Sequence, residues 1–209
     1  MPLWILLQGI EDLVKVKMKK IVLATGNKDK IKEINDLLTG TNIEAIPVSD
    51  VFNPEETGTT FEENAYIKAF EAAKIHKIPA LADDSGLVVD ALNGAPGIYS
   101  SRYAQDTASR IKRVLDEMKD VPYEKRTARF VCSMVVVDPE GNILKSCTGK
   151  CEGKIITELR GEQGFGYDPI FFIPELNRTM AELTMEEKNR ISHRSNALRC
   201  ILDWIRTCQ

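Results

Sequence analysis

Asp83 and Asp84 stand side by side in "LADDSGL", between an apolar approach and Ser85-Gly86. Neighbouring carboxylates repel unless a cation or a proton intervenes. Oxygen donors of this kind suit magnesium, which also takes phosphate oxygens. Alternatively, one of the two can act as general base on a water. An acidic turn with one capping aspartate has the same composition. Upstream, Glu56 in "PEETGTTF" adds a third carboxylate that could join a metal shell. Lys68 sits on or beside the apolar stripe of Ala65, Ala69 and Ala72, from which it can reach inward. The plainer alternatives are a loop carboxylate and a lysine whose stem lies along apolar surface.

A second group of residues suits an anion. "ATGNKDK" carries Thr25, Gly26 and Asn27 between an apolar run and a segment holding Lys28, Asp29 and Lys30. Free amides at a helix N-terminus favour negative charge. Gly26 allows close backbone approach, and Lys28 and Lys30 supply full charges. The P-loop pattern is missing, so a capped helix with solvated lysines stays open. A third group suits a planar ring. In "GFGYDPIFF", Phe165 or Tyr167 could stack on a base beside Gly166, and Asp168 could accept a base N–H. A turn entering a buried strand reads the same way. In "EEKNRISHRSNAL", Lys188, His193 and Arg194 could surround phosphate or a carbonyl-bearing ring, with Ser192 or Ser195 capping a helix break.

The elements that must position these groups alternate early in the chain. Residues 19–25 read as a strand, 28–38 as a helix closed at Gly40, and 43–47 as the next strand. Residues 49–60 read as a loop. Thr60 and Glu63 form a capping box for a helix to about His76. Residues 78–92 are strand-like on both sides of an acidic break, 93–104 a turn-rich loop, and 107–119 an amphipathic helix. Residues 127–153 are the clearest hairpin, turning at Asp138-Pro139-Glu140-Gly141-Asn142. A glycine-rich loop at 161–174 enters a strand, and 184–207 is helical with one interruption. Alternation followed by a hairpin predicts a mixed-sheet α/β protein in one domain.

The 209 residues are 43% hydrophobic with a net charge of -3, so a core is easily built and no general nucleic-acid surface is expected. No apolar run approaches a membrane span. Five cysteines (Cys132, Cys147, Cys151, Cys200, Cys208) and two histidines lack zinc spacing. They are expected to be thiols without metal or structural disulfide, in a reducing cytoplasm. Met18 precedes "KKIVLATGN", and residues 1–17 are expected to be an upstream extension to a single domain over 18–209.

Six motifs in order, "TGNKDK", "EETGTTFEENAYIKA", "ADDSGL", "GAPGIYSSRY", "GFGYDPIF" and "SHR", resemble the inosine/xanthosine triphosphate pyrophosphatases, the Ham1-like non-canonical purine NTP pyrophosphatases. The resemblance covers about residues 19–206. It implies an elongated mixed β-sheet with flanking helices, two lobes around a central cleft, a homodimer and a Mg²⁺ requirement. It also implies hydrolysis of ITP, dITP and XTP to the monophosphate and pyrophosphate. Residue by residue, Thr25, Gly26, Asn27, Lys28, Asp29 and Lys30 look like the phosphate loop, with Asn27 and Lys30 foremost, and Lys68 like another phosphate contact. Glu56, Asp84 and Asp83 look like metal-site carboxylates, Asp84 being also the base. Ser85, Phe165, Gly166, Tyr167, Asp168, Lys188, His193 and Arg194 look like nucleotide-binding positions. The rivals are a Maf-type preference for modified pyrimidine nucleotides and a binding module without catalysis.

Overall fold

The β-branched run after Lys19 forms the first strand of a seven-stranded sheet in a computed structural model that describes residues 19–39, 43–49 and 51–207. The proposed extension over 1–17 lies outside the described residues. Strands β1 (Lys20–Leu23), β2 (Glu44–Pro47), β3 (Ala80–Val89), β4 (Thr127–Val137), β5 (Ile143–Ile155), β6 (Phe171–Ile173) and β7 (Arg178–Thr179) lie in the order β2-β1-β3-β4-β5-β6-β7. β1 pairs parallel with β2 and β3, and every later pairing is antiparallel. The sheet is therefore mixed, as the alternation followed by a hairpin predicts. Among the described residues five helices flank it: α1 (Lys28–Leu38), α2 (Phe61–His76), α3 (Thr107–Glu117), α4 (Met185–Ile191) and α5 (His193–Thr207).

Side-chain alternation sorts the core. Ile21, Leu23, Leu81, Met134 and Val136 face α1 and α5, where Ile34, Leu198 and Ile201 meet them. Val22, Ala24, Ala80, Ala82, Val135 and Val137 face α2. The fully buried apolar side chains of that helix are Ala65, Ala69, Ala72 and Ala73, with Tyr66 and Phe70 packed at the cluster's edge, so its backbone lies close to the sheet. A third cluster joins Leu87 and Val89 to α3 and to Phe130, Phe171 and Ile170. The long strands β3 and β4 run from the first two clusters into the third. They carry the site at the crossing.

Two expectations change. The acidic pair does not break its strand: β3 runs unbroken through Asp83, Asp84 and Ser85, paired to Met134, Ser133 and Cys132 of β4. The cysteines are not all free thiols. Cys147 of β5 and Cys200 of α5 form a disulfide across 53 residues, with Cα atoms 6.1 Å apart. Sequence spacing hides this pair because the packing of α5 on β5 creates it. Cys132 and Cys151 are buried thiols, and burial pushes the Cys151 thiol up to about 11. Cys208 lies outside the described residues.

Candidate active site

Strand geometry separates the two aspartates. Residues at successive positions point to opposite faces, so Asp83 follows Leu81 toward α1 and α5, while Asp84 follows Ala82 toward α2. Each meets a different cation. Lys30, in the first turn of α1, places Nζ 2.9 Å from Asp83 Oδ2. Arg194, at the start of α5, donates from Nε to the same oxygen at 3.5 Å and from Nη2 to Ser85 Oγ at 3.2 Å. Burial opposes ionisation of Asp83, but the Lys30, Arg194 and Lys68 charges outweigh it and hold the carboxyl far below the usual range.

On the α2 face, Lys68 Nζ donates to Glu56 Oε1 at 2.7 Å and to Asp84 Oδ1 at 3.4 Å. Arg102 Nη1 lies 3.1 Å from Glu56 Oε2. Burial dominates at Asp84 and, with the Glu56 and Asp83 charges, raises its pKa against the pull of Lys68 and Lys30. Burial also opposes the charge on Glu56, yet Lys68 and Arg102 keep its pKa lowered. Burial likewise opposes the charge on Lys68, but the three carboxylates reverse the effect and raise its pKa. One lysine thus bridges an easily ionised glutamate and a more basic aspartate.

The α1 start is a built cap. Thr25 Oγ1 accepts from the Asn27 amide at 3.2 Å, and Asn27 Oδ1 accepts from the Lys30 amide at 3.2 Å. Around Gly26 the space is open, the nearest atom to an added Cβ being Phe52 O at 4.0 Å. Lys28 and Lys32 are exposed. The side chain of Asp29 lies outside the described part of the structure.

At the other end, Phe165 lies under two cations, Lys188 Nζ at 4.8 Å and the Arg194 guanidinium at 5.8 Å from its ring centre. Asp168 Oδ2 accepts from Lys188 Nζ at 2.9 Å and from the Phe165 amide at 3.0 Å. Positive φ at Gly164 and Gly166 lets the loop curl this tightly. Tyr167 is buried, and its hydroxyl donates to the Ser100 carbonyl at 2.9 Å, which ties this loop to the one before α3. His193 stacks on Phe130 with ring centres 4.9 Å apart. Burial, with Arg194 and Lys188 nearby, drives its pKa well below the usual histidine value.

Fifteen of the residues expected from sequence share one cleft of about 460 Å³: Thr25, Gly26, Asn27, Lys30, Glu56, Lys68, Asp84, Ser85, Phe165, Gly166, Tyr167, Asp168, Lys188, His193 and Arg194. Lys28 and Asp83 do not line it; Asp83 sits behind it as the anchor of Lys30 and Arg194. Sequence reasoning missed Asn64, Arg102 and Arg110. Asn64 had a signal, being one helical turn before Lys68 and on the same face. Arg110 had none, because its place in the cleft depends on how α3 meets the Ser100-Ser101 loop.

Residues 21–204 match the Ham1 family. A dITP/XTP pyrophosphatase of Oceanobacillus iheyensis is 47% identical over 197 residues, covering 91% of this chain and 100% of that protein. A dITP/XTP pyrophosphatase of Vibrio parahaemolyticus is 52% identical over 190 residues, covering 88% and 95%. Among solved structures, a HAM1 protein from Coxiella burnetii superposes with a TM-score of 0.84 at 46% identity, covering 91% of this chain and 100% of that one. With the family match and the superposition both spanning nearly its whole described length, this chain belongs to the Ham1 family.

Proposed function

We propose that the chain hydrolyses non-canonical purine nucleoside triphosphates, ITP, dITP and XTP, to the monophosphate and pyrophosphate. The observation that carries this reading is the polarity of one cleft. A buried, basic Asp84 bridged to Lys68 stands between a cationic end at Lys30 and an aromatic end at Phe165 and Tyr167. A triphosphate laid toward Lys30 and Lys68 leaves its base over Phe165. Asp84 takes the proton of the water that attacks the α-phosphorus. Lys30, Lys68 and the amides at the α1 start receive the negative charge of the departing pyrophosphate.

Glu56 and Asp84 suit Mg²⁺ by donor type, since both offer hard oxygens to the cleft. Among the described residues no cluster of three or more His, Cys, Asp or Glu could hold a metal ion. Two carboxylates completed by phosphate oxygens and water is the arrangement magnesium favours. The chemistry supplied there is withdrawal of charge from the phosphate oxygens as the anhydride breaks. We assign Asp83 to anchoring rather than to the metal, because its Oδ2 already serves Lys30 and Arg194.

Base choice follows from donors at the aromatic end. Arg194 and Lys188 present N–H groups that pair with a 6-keto oxygen and oppose the 6-amino group of adenine. A homodimer, a cytoplasmic setting and a single domain over 18–209 complete the reading. Among the described residues no helix is long and apolar enough to cross a membrane. Pyrophosphate release with Mg²⁺ and ITP, dITP, XTP, GTP, ATP or UTP tests the specificity, and a preference for UTP overturns it. Asp84→Asn should lower kcat by at least about 10²-fold with the fold intact. Turnover near the unsubstituted level would remove Asp84 from its role.

A further inference from the structure

Asn64 lies in the first turns of α2, fully buried, and one turn before Lys68. Its side chain joins two parts of the site. Oδ1 accepts from the Gly58 amide at 2.9 Å, and Nδ2 donates to Asp84 Oδ2 at 3.3 Å. The main-chain donor fixes which way the amide faces: the oxygen must meet the Gly58 N–H, so the NH₂ must meet the carboxylate. Gly58 is two residues from Glu56, and it is held against α2 so closely that an added Cβ would come within 2.6 Å of Glu63 Cβ and 2.7 Å of Asn64 Oδ1. The capping box tightens the same corner, with Glu63 Oε2 accepting from the Thr59 amide at 2.6 Å and the Thr60 amide at 3.2 Å.

These contacts make Asn64 the shared support of Glu56 and Asp84. The Glu56 loop and strand β3 come from distant parts of the chain, and both fasten to one buried amide. Lys68 fills the space between the two carboxylates from the next turn of the same helix. We infer that Asn64 is a positioning residue that sets the spacing of Glu56 and Asp84 on either side of Lys68, and so the geometry in which a divalent cation and the attacking water are held. This inference rests on the reading of Glu56 and Asp84 as the cation-holding carboxylates.

Asn64→Leu keeps the branching and heavy-atom count of the side chain and removes both hydrogen bonds. Asn64→Asp keeps the acceptor for Gly58 but replaces the donor to Asp84 with a carboxylate oxygen, so the contact at 3.3 Å turns from attraction to repulsion. Mn²⁺ binding to the substrate-free protein, followed by electron paramagnetic resonance, reads the carboxylate pair without turnover. For Asn64→Leu the Mn²⁺ dissociation constant should rise at least about fivefold. Its kcat on ITP should fall about 30-fold or more, while KM stays within about threefold. Asn64→Asp should lose kcat by at least about tenfold with KM retained. A role confined to folding predicts instead a lower melting temperature with kcat and Mn²⁺ affinity unchanged in the folded fraction. That result, or kcat within twofold in either folded variant, overturns the inference. Should Asn64→Leu fail to fold, Asn64→Asp carries the kinetic test. If the unsubstituted protein releases no pyrophosphate from ITP, the proposed function fails, while the Mn²⁺ comparison still decides the role of Asn64.

Discussion

Gly149 on β5 is the point at which the sheet seats α5, and replacing it with alanine should disturb the site from behind. A Cβ there would stand 2.1 Å from the His193 carbonyl oxygen, 2.4 Å from the Ala197 amide nitrogen and 2.9 Å from Asn196 Cβ. Two of these atoms are main chain, so no rotamer relieves the clash. Helix and strand must part by more than about 1 Å to regain ordinary contact. The Cys147–Cys200 bond holds the same seam two residues away on β5. Movement therefore falls on the first turn of α5, which carries His193 and Arg194. Overpacking of this kind costs about 1–3 kcal/mol, equivalent to roughly 2–4 °C in melting temperature per kcal/mol for a domain of this size. A displacement of about 1 Å at a positioned group can cost about 10²-fold in rate. Thermal melts and pyrophosphate release from ITP measure both, with kcat/KM expected to fall about 100-fold. Gly26→Ala serves as the stability control, because its added methyl group meets open space. If Gly149→Ala melts within a degree of the unsubstituted protein and keeps kcat/KM within twofold, the argument from close approach is wrong.

Reduction of the Cys147–Cys200 disulfide should destabilise the fold by about 4 kcal/mol on the chain-entropy estimate for its 53-residue separation. Melts with and without a dithiol, repeated on Cys200→Ser, check this, and identical melting temperatures refute it. Stability should also fall with acidity through His193. Its folded pKa is depressed, so the unfolded chain binds the extra proton first, and stability is lost as pH drops below the unfolded value near 6.5. The slope contributed by this one group is about 1.4 kcal/mol per pH unit below that point. Denaturant titrations from pH 7 to pH 5 should therefore show a smaller loss in His193→Gln than in the parent, and equal losses would contradict the assignment.

The sequence carried most of the site because its motifs sit where elements begin and end. The Thr60–Glu63 capping box, the Asp138–Asn142 turn and the break before His193 each have local chemistry that fixes them without tertiary help. The resemblance, not local chemistry, singled out Lys30, whose Nζ reaches Asp83 while the nearby Lys32 is exposed. Local chemistry failed where the answer depends on what lies across the sheet. Adjacent aspartates look like one pair in a string of letters, yet the pleat sends them to opposite faces with different partners. Letter spacing offers Cys147 no disulfide partner, yet it bonds Cys200, because α5 covers β5. The signal of Asn64 lies in its position one turn before Lys68 and not in its residue type; its value comes from a main-chain N–H and a side-chain carboxylate meeting at its amide.

The oxygen Asp83 Oδ2 gathers Lys30, Arg194, Ser85 Oγ and the Cys132 thiol at one buried point. Lys30 and Arg194, from separate helices, thereby lean on the same negative charge, and on the proposed reading they serve the phosphate end and the base end. Selectivity and turnover are then not separate dials for an engineer. A substitution at Arg194 made to admit a different base also changes the share of charge that Asp83 returns to Lys30. Paired substitutions at Lys30 and Arg194 should depart from additivity, and laboratory evolution toward a new base should collect compensating changes around Asp83 rather than at the base alone.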